Sequence, residues 1–195
     1  MLILRDYLQS IGLPNQDISN AAAVSVCFYH QGITTLWEAI SWVHQLPYGR
    51  NSQRDRYSLV FSEKKGTCST KHALIKALAN EVSVPLELNI AIQPLDEVNT
   101  PQIAAILQAH QLPAILDAHC YLSFQNHIID ITNPKTLISS LNRNTVQAIM
   151  IQPEQIGDFK LQYHQQFIKD WVKPQPPLTF EQIWSAREKY IETLY

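Results

Sequence analysis

The chain has 195 residues, 46% of them hydrophobic and 16% charged, with a formal net charge of −2. That is ordinary globular composition, long enough for one full-sized core, and its near-neutral charge gives no electrostatic reason to expect nucleic acid or an anionic membrane as partner. Three irregularly spaced cysteines make no disulfide framework, no run approaches the ~18 apolar residues of a membrane span, and the five glycines form no phosphate loop.

At the N-terminus, MLILRDYLQSIGLP interrupts its apolar stretch with Arg5 and Asp6, unlike a secretory leader, so a cytoplasmic, unanchored protein is expected. Asp17 or Ser19 is positioned to cap a helix through Asn20–His30 that Gly32 ends. Thr34 or Thr35 starts a second helix, in which Leu36, Ile40, Val43 and Leu46 form a stripe that Pro47 stops. Tyr48 to Glu63 is polar and reads as a loop. GTCSTKHALIKALA then opens a helix with an apolar face of Ala73, Leu74, Ala77 and Leu78.

After Pro85 the period changes to two. LELNIAIQ alternates as a strand, with Leu86, Leu88, Ile90 and Ile92 on one side. Thr100 can cap a short helix, PQIAAILQAH; LPAILDAHCYLSF, HIIDIT and TVQAIMIQP are further strands. Two helical segments, FKLQYHQQFIKDWV and FEQIWSAREKYIETL, follow across the proline-rich joint KPQPPLT. The expected class is α+β, with N-terminal helices packed on an antiparallel sheet and extra C-terminal helices.

Cys68 stands at the mouth of its helix. Unsatisfied N–H groups and the helix dipole there lower a thiol's pKa and make it a nucleophile, although a lone cysteine also serves as a small buried hydrophobe. A nucleophile needs a base, and the base needs an orienting acceptor. If Gln125-Asn126 closes a hairpin with a two- or four-residue loop, paired residue numbers sum to 251. Tyr121 then faces Asp130, and Asp130 shares a face with His119 as its diagonal neighbour, within reach of an imidazole. A three-residue loop would put Asp130 on the wrong face. Cys120, Leu122, Phe124, Ile129 and Ile131 fall on the opposite, apolar side, which makes Cys120 a core residue.

A helix-start cysteine in GTCSTKHALIKALA, followed by HCYLSFQNHIIDITNP with its strand histidine and later aspartate, resembles the transglutaminase-like domains of the papain-type cysteine enzymes. The resemblance covers Leu36 to Pro134. It implies Cys68 as nucleophile, His119 as general base and acid, and Asp130 as orienting group, in a domain of residues 1–157 carrying a helical extension, 158–195. It departs from the family at CYLSF and HII, where aromatic-rich segments are common. Where papain has its oxyanion glutamine, Ser62 and Glu63 stand. The backbone N–H of Cys68 would be one oxyanion donor; Asn51, ahead of Tyr48 and Ser52, is the candidate for the second.

The implied activity is thiol-dependent acyl transfer on a peptide, protein or small amide. Hydrolysis through a thioacyl intermediate is preferred over transfer to an amine; a non-catalytic binding module on the same fold is the other alternative. No cofactor is implied and oligomeric state is left open. Zinc held by Cys68, His72, His119 and Cys120 is set aside because adjacent strand residues point to opposite sides. Asp117 ranks second to Asp130 as orienter, His72 is expected beside the site, and Lys71 at the surface. His30, His44, His110, His127 and His164 are read as structural. Trp171, Phe180, Trp184, Tyr190 and Tyr195 are read as core rather than a docking stripe.

Overall fold

A computed structural model describes residues 4–134, 144–175 and 177–194; Tyr195 lies outside them. Four helices come first: α1 (Leu4–Ser10), α2 (Ala23–Tyr29), α3 (Leu36–Gln45) and α4 (Leu59–Glu63). The long α5 (Cys68–Glu81) leads into β1 (Glu87–Leu95), then α6 (Ala104–His110), β2 (Ile115–Phe124), β3 (His127–Ile129) and β4 (Gln147–Ile151). Two C-terminal helices, α7 (Asp158–Val172) and α8 (Phe180–Glu192), close the chain. The strands form one antiparallel sheet in the order β3-β2-β1-β4, so the mixed helix and antiparallel-sheet class is as expected. Among the described residues no helix is long and apolar enough to cross a membrane.

Helix α5 is the centre of the molecule. Its N-terminus is set by a reciprocal capping box between Thr67 and Thr70, which satisfies two backbone N–H groups at the helix mouth. Gly66 precedes the cap because a Cβ there would come within 2.9 Å of both Lys71 Cγ and Thr70 Oγ1. Every residue from Cys68 to Ile75 is buried, with α2, α3 and α4 on one side and β1 and β2 on the other. A helix enclosed in this way has no solvent face for Lys71. Against the expectation of a surface lysine, its side chain is fully buried, and Nζ donates to the carbonyls of Leu46 (2.5 Å) and Thr132 (2.9 Å). Burial lowers its pKa to about 8.

Two local expectations change. The polar stretch Tyr48–Glu63 carries α4, which Lys64 ends in a left-handed conformation (φ 51°). Helix α2 begins at Ala23, and neither Asp17 nor Ser19 caps it. Its free N–H groups are met from across the fold: Glu81, in the last turn of α5, accepts from the backbone of Val24 (2.9 Å) and Ser25 (2.7 Å). A carboxylate at a helix N-terminus stabilises it whichever part of the chain supplies it.

The hairpin has the expected register. Leu122 pairs with Ile129, Ser123 with Ile128 and Phe124 with His127. Gln125 (φ 47°) and Asn126 (φ 69°) both adopt positive φ, the two-residue turn whose twist suits adjoining strands. The ladder stops at Ile129, so Asp130 and Thr132 leave the sheet just beyond it. Helices α7 and α8 pack on β2, and α8 also meets α6. Ile168, Ile183, Ala186, Tyr190 and Ile191 bury their side chains in the common core.

Candidate active site

Three elements bring the site together. Cys68 is the first residue of α5 and is only 7% exposed. Its N–H and that of Ser69 belong to the first turn, where no intrahelical acceptor exists. His119 comes from the middle of β2, opposite Ala91 of β1. Its ring donates through Nε2 to Asp130 Oδ2 at 2.8 Å, and it is close enough to the Cys68 thiol for each to shift the other's ionisation. The second carboxylate oxygen of Asp130 accepts from Thr132 N at 2.9 Å.

The electrostatics follow from these contacts. The Cys68 thiol is held well below its ordinary range: contact with Cys120 lowers it most, burial opposes, and the charges of Lys160 and His119 add to the lowering. Burial pushes against protonation of His119, but Asp130 and Cys68 together raise it well above the usual histidine value. Burial likewise opposes ionisation of Asp130, yet His119, His72 and Thr132 hold it well below the usual carboxylate range. The three shifts run together: each favours the charged form of Cys68, His119 or Asp130. Cys120 is fully buried beside them, its thiol 3.7 Å from Ser69 Oγ, a core residue as expected.

His72, expected near the site, ties its parts together. Nδ1–H donates to the Cys68 carbonyl (2.7 Å), one turn back on the helix, while Nε2 accepts the Ile131 N–H (2.9 Å). One nitrogen donates and the other accepts, so the buried ring is neutral; burial lowers its pKa to about 4. The ring thus links the helix of Cys68 to the residue following Asp130.

Other candidates fall elsewhere. Asn51 is not free to serve as an oxyanion donor: its amide N–H groups go to Glu63 (3.0 Å) and the Lys65 carbonyl (3.1 Å), and its oxygen accepts from Thr70 (2.7 Å). Ser52 is likewise bound to Glu63 through backbone and hydroxyl. Tyr48 remains in the wall of a cavity of about 300 Å³ that opens beside Cys68. Asp117, the alternative orienter, pairs instead with Arg187 of α8 at 3.0 Å. His164 is buried and donates to the Leu116 carbonyl at 2.9 Å. Among the described residues no group of three or more His, Cys, Asp or Glu side chains is arranged to hold a metal ion.

Sequence reasoning missed Lys160. The first turn of α7 carries it into the same cavity wall as Cys68, Arg187 and Trp184. Its Nζ donates to Ser69 Oγ at 2.7 Å and lies 3.9 Å from Cys68 Sγ. A lysine 92 residues away, in a segment read as an extension, gave no local signal of this. Compared with protein-family models, with curated proteins and with solved structures, the chain matches none.

Proposed function

We propose that the chain is a cysteine-dependent acyl-transfer enzyme of the transglutaminase-like, papain-type kind, acting as an amide or peptide hydrolase. The observation that carries this reading is the 2.8 Å His119–Asp130 hydrogen bond beside Cys68, whose sulfur stands at a helix N-terminus and on a cavity wall. The thiolate adds to a carbonyl carbon, forming an S–C bond and moving the carbonyl π pair onto oxygen. Collapse of that oxyanion expels the amine, which takes its proton from His119. Water, deprotonated by His119, then attacks the thioester; the acid leaves and the thiolate returns. Asp130 keeps the imidazole ring turned toward the sulfur throughout.

The test uses the three free thiols, of which Cys27 is exposed while Cys68 and Cys120 are buried. Iodoacetamide at mildly acidic pH, read by peptide mass spectrometry, is expected to label Cys68 ahead of Cys27 and Cys120. Accessibility alone predicts the reverse, so Cys27 labelled first would overturn the nucleophile assignment. Product analysis with an amide substrate library, in water alone and with added amine, then separates hydrolysis from transfer.

A further inference from the structure

A buried cation, Lys160, stands beside the Cys68 sulfur. Asp117 is tied to Arg187 (3.0 Å), Arg187 to Glu188 (2.6 Å), and Glu188 to Arg50 (2.9 Å). That run alternates in sign and is neutral. The imidazolium of His119 and the carboxylate of Asp130, 2.8 Å apart, make a second neutral set. Two buried lysines remain: Lys71 gives its Nζ to the carbonyls of Leu46 and Thr132, whereas Nζ of Lys160 lies 3.9 Å from the Cys68 sulfur. Arg54, Asp55 and Asp158 also line the cavity but are exposed to solvent, where their fields are screened. Lys160 itself is only 9% exposed, and a buried cation is retained only when an anion and hydrogen bonds compensate it.

The groups facing Lys160 come from four elements. Cys68 and Ser69 reach it from α5, Asp117 and Cys120 from β2, Arg187 from α8, and His164 from its own helix. Of the two carboxylates in the neutral run, Asp117 is already engaged by Arg187, and His164 stays neutral because burial lowers its pKa to about 4. Burial works against the ammonium, but Cys120, Cys68 and Asp117 together more than offset it, so Lys160 stays charged.

We infer that Lys160 is a catalytic residue: the countercharge of the Cys68 thiolate at rest, and the second oxyanion donor once that negative charge has moved to the substrate's oxygen. This rests on the acyl-transfer reading above. When Sγ bonds to the carbonyl carbon, the sulfur becomes neutral and the oxygen two bonds away becomes negative. An ammonium 3.9 Å from that sulfur can meet this oxygen at the ~2.7–3.1 Å that an oxyanion donor needs. Ser69 Oγ, 2.7 Å from Nζ, holds one of its three protons and fixes its direction; the remaining donors serve the sulfur and then the oxygen. The Cys68 N–H completes the pair of donors. Lys160 takes the place for which Asn51 is not free, and it brings a full positive charge.

Three reagents and two variants, Lys160→Met and Lys160→Arg, test this. Iodoacetate and iodoacetamide alkylate the same sulfur but differ in charge, so their rate ratio reads the local field. The ester p-nitrophenyl acetate forms an oxyanion that alkylation does not. In the wild type the iodoacetate-to-iodoacetamide ratio is expected to be higher at Cys68 than at exposed Cys27. Lys160→Met should lower it by about fivefold or more, the effect of unit charges 4 Å apart even in water, while Lys160→Arg retains most of it. At a pH where the thiolate is fully formed, Lys160→Met should recover alkylation by iodoacetamide yet acylate about 10²-fold or more slowly with the ester. A residue that only supports the fold would change both rates together.

Acylation and alkylation recovering equally in folded Lys160→Met would overturn the donor role. If that variant does not fold, a wild-type charge ratio at Cys68 no higher than at Cys27 overturns the inference by itself. A wild-type Cys68 inert to all three reagents removes the acyl-transfer reading, and this inference with it.

Discussion

Two histidines flank one carboxylate, and they end in opposite states. His119 lies 2.8 Å from Asp130 and His72 lies 3.5 Å from it, both within a mostly buried cluster. Yet the pKa of His119 is raised well above the ordinary value, while that of His72 is lowered to about 4. Burial pushes both down. What separates them is where their nitrogens point. Both nitrogens of His72 are taken by backbone groups, one as donor and one as acceptor, so a second proton would break the bond from Ile131 N–H. His119 gives Nε2 to a carboxylate and lies near a thiol whose ionisation its charge favours, so each neighbour gains from its protonation. A ring spent on the backbone is a strut; a ring between two ionisable groups moves protons.

The sharpest way to break that comparison is to remove the mobile ring. His119→Ala is expected to abolish selective labelling of Cys68 and to cost about 10²–10⁴-fold in acyl transfer. Far-ultraviolet circular dichroism should stay native, since β2 is held by ladders on both sides. Asp130→Asn should act through the same ring more mildly, by about 10²-fold. Its loss of the anion drops the imidazole toward its ordinary pKa, so the reactive window narrows from its alkaline side. Labelling of Cys68 that survives His119→Ala unchanged would break the thiolate–imidazolium pair.

His72 should show itself in stability instead. Its folded value of about 4 lies below the unfolded value near 6.5, so the unfolded chain binds the extra proton. Its contribution is full above the unfolded value and is lost as pH falls from about 6.5 toward 4, at up to about 1.4 kcal/mol per pH unit. His164, also lowered to about 4, adds a loss of the same sign, whereas the raised His119 contributes stability that is present at low pH and fades as pH rises. Urea unfolding of wild type and His72→Gln between pH 7.5 and 5 measures the difference. The variant should be less stable by about 1–3 kcal/mol at pH 7.5, from backbone groups left unpaired, and should show a shallower slope. Equal slopes would mean that His72 is not the buried neutral ring described.

How much of this was legible follows the range of each interaction. The α5 start was readable because Gly66, Thr67 and Cys68 are adjacent and act within one turn. The His119–Asp130 pairing was readable because a two-residue turn fixes parity across the hairpin, and parity puts both side chains on one face. Glu81 capping α2 and Lys160 beside Cys68 were not readable, since each joins segments distant in sequence through packing alone. Lys71 was misread for a related reason. A lysine on an amphipathic helix belongs to the solvent face, but the first two turns of α5 are enclosed and have none. Asn51 lines the cavity, but the partners that occupy its amide depend on the loop's return through Glu63 and Lys65, which the sequence does not show.

Asn51 carries the distinction between spent and available groups beyond the histidines, and its removal should have the smallest effect. Its oxygen is the acceptor for Thr70 Oγ1, and Thr70 is half of the capping box that sets the mouth of α5. Asn51→Ala strips that acceptor from a buried hydroxyl, takes the donor from the Lys65 carbonyl and leaves Glu63 to Ser52 alone. Stability should fall by about 1–3 kcal/mol, the cost of leaving a buried polar group unpaired, as read from the urea midpoint. Acylation of Cys68 by p-nitrophenyl acetate should change by less than about threefold, since no donor is taken from the reacting oxygen, whereas loss of one oxyanion donor costs ~10²-fold or more. A loss on that larger scale, with the midpoint unmoved, would make Asn51 the oxyanion donor after all and leave Lys160 with the thiolate alone.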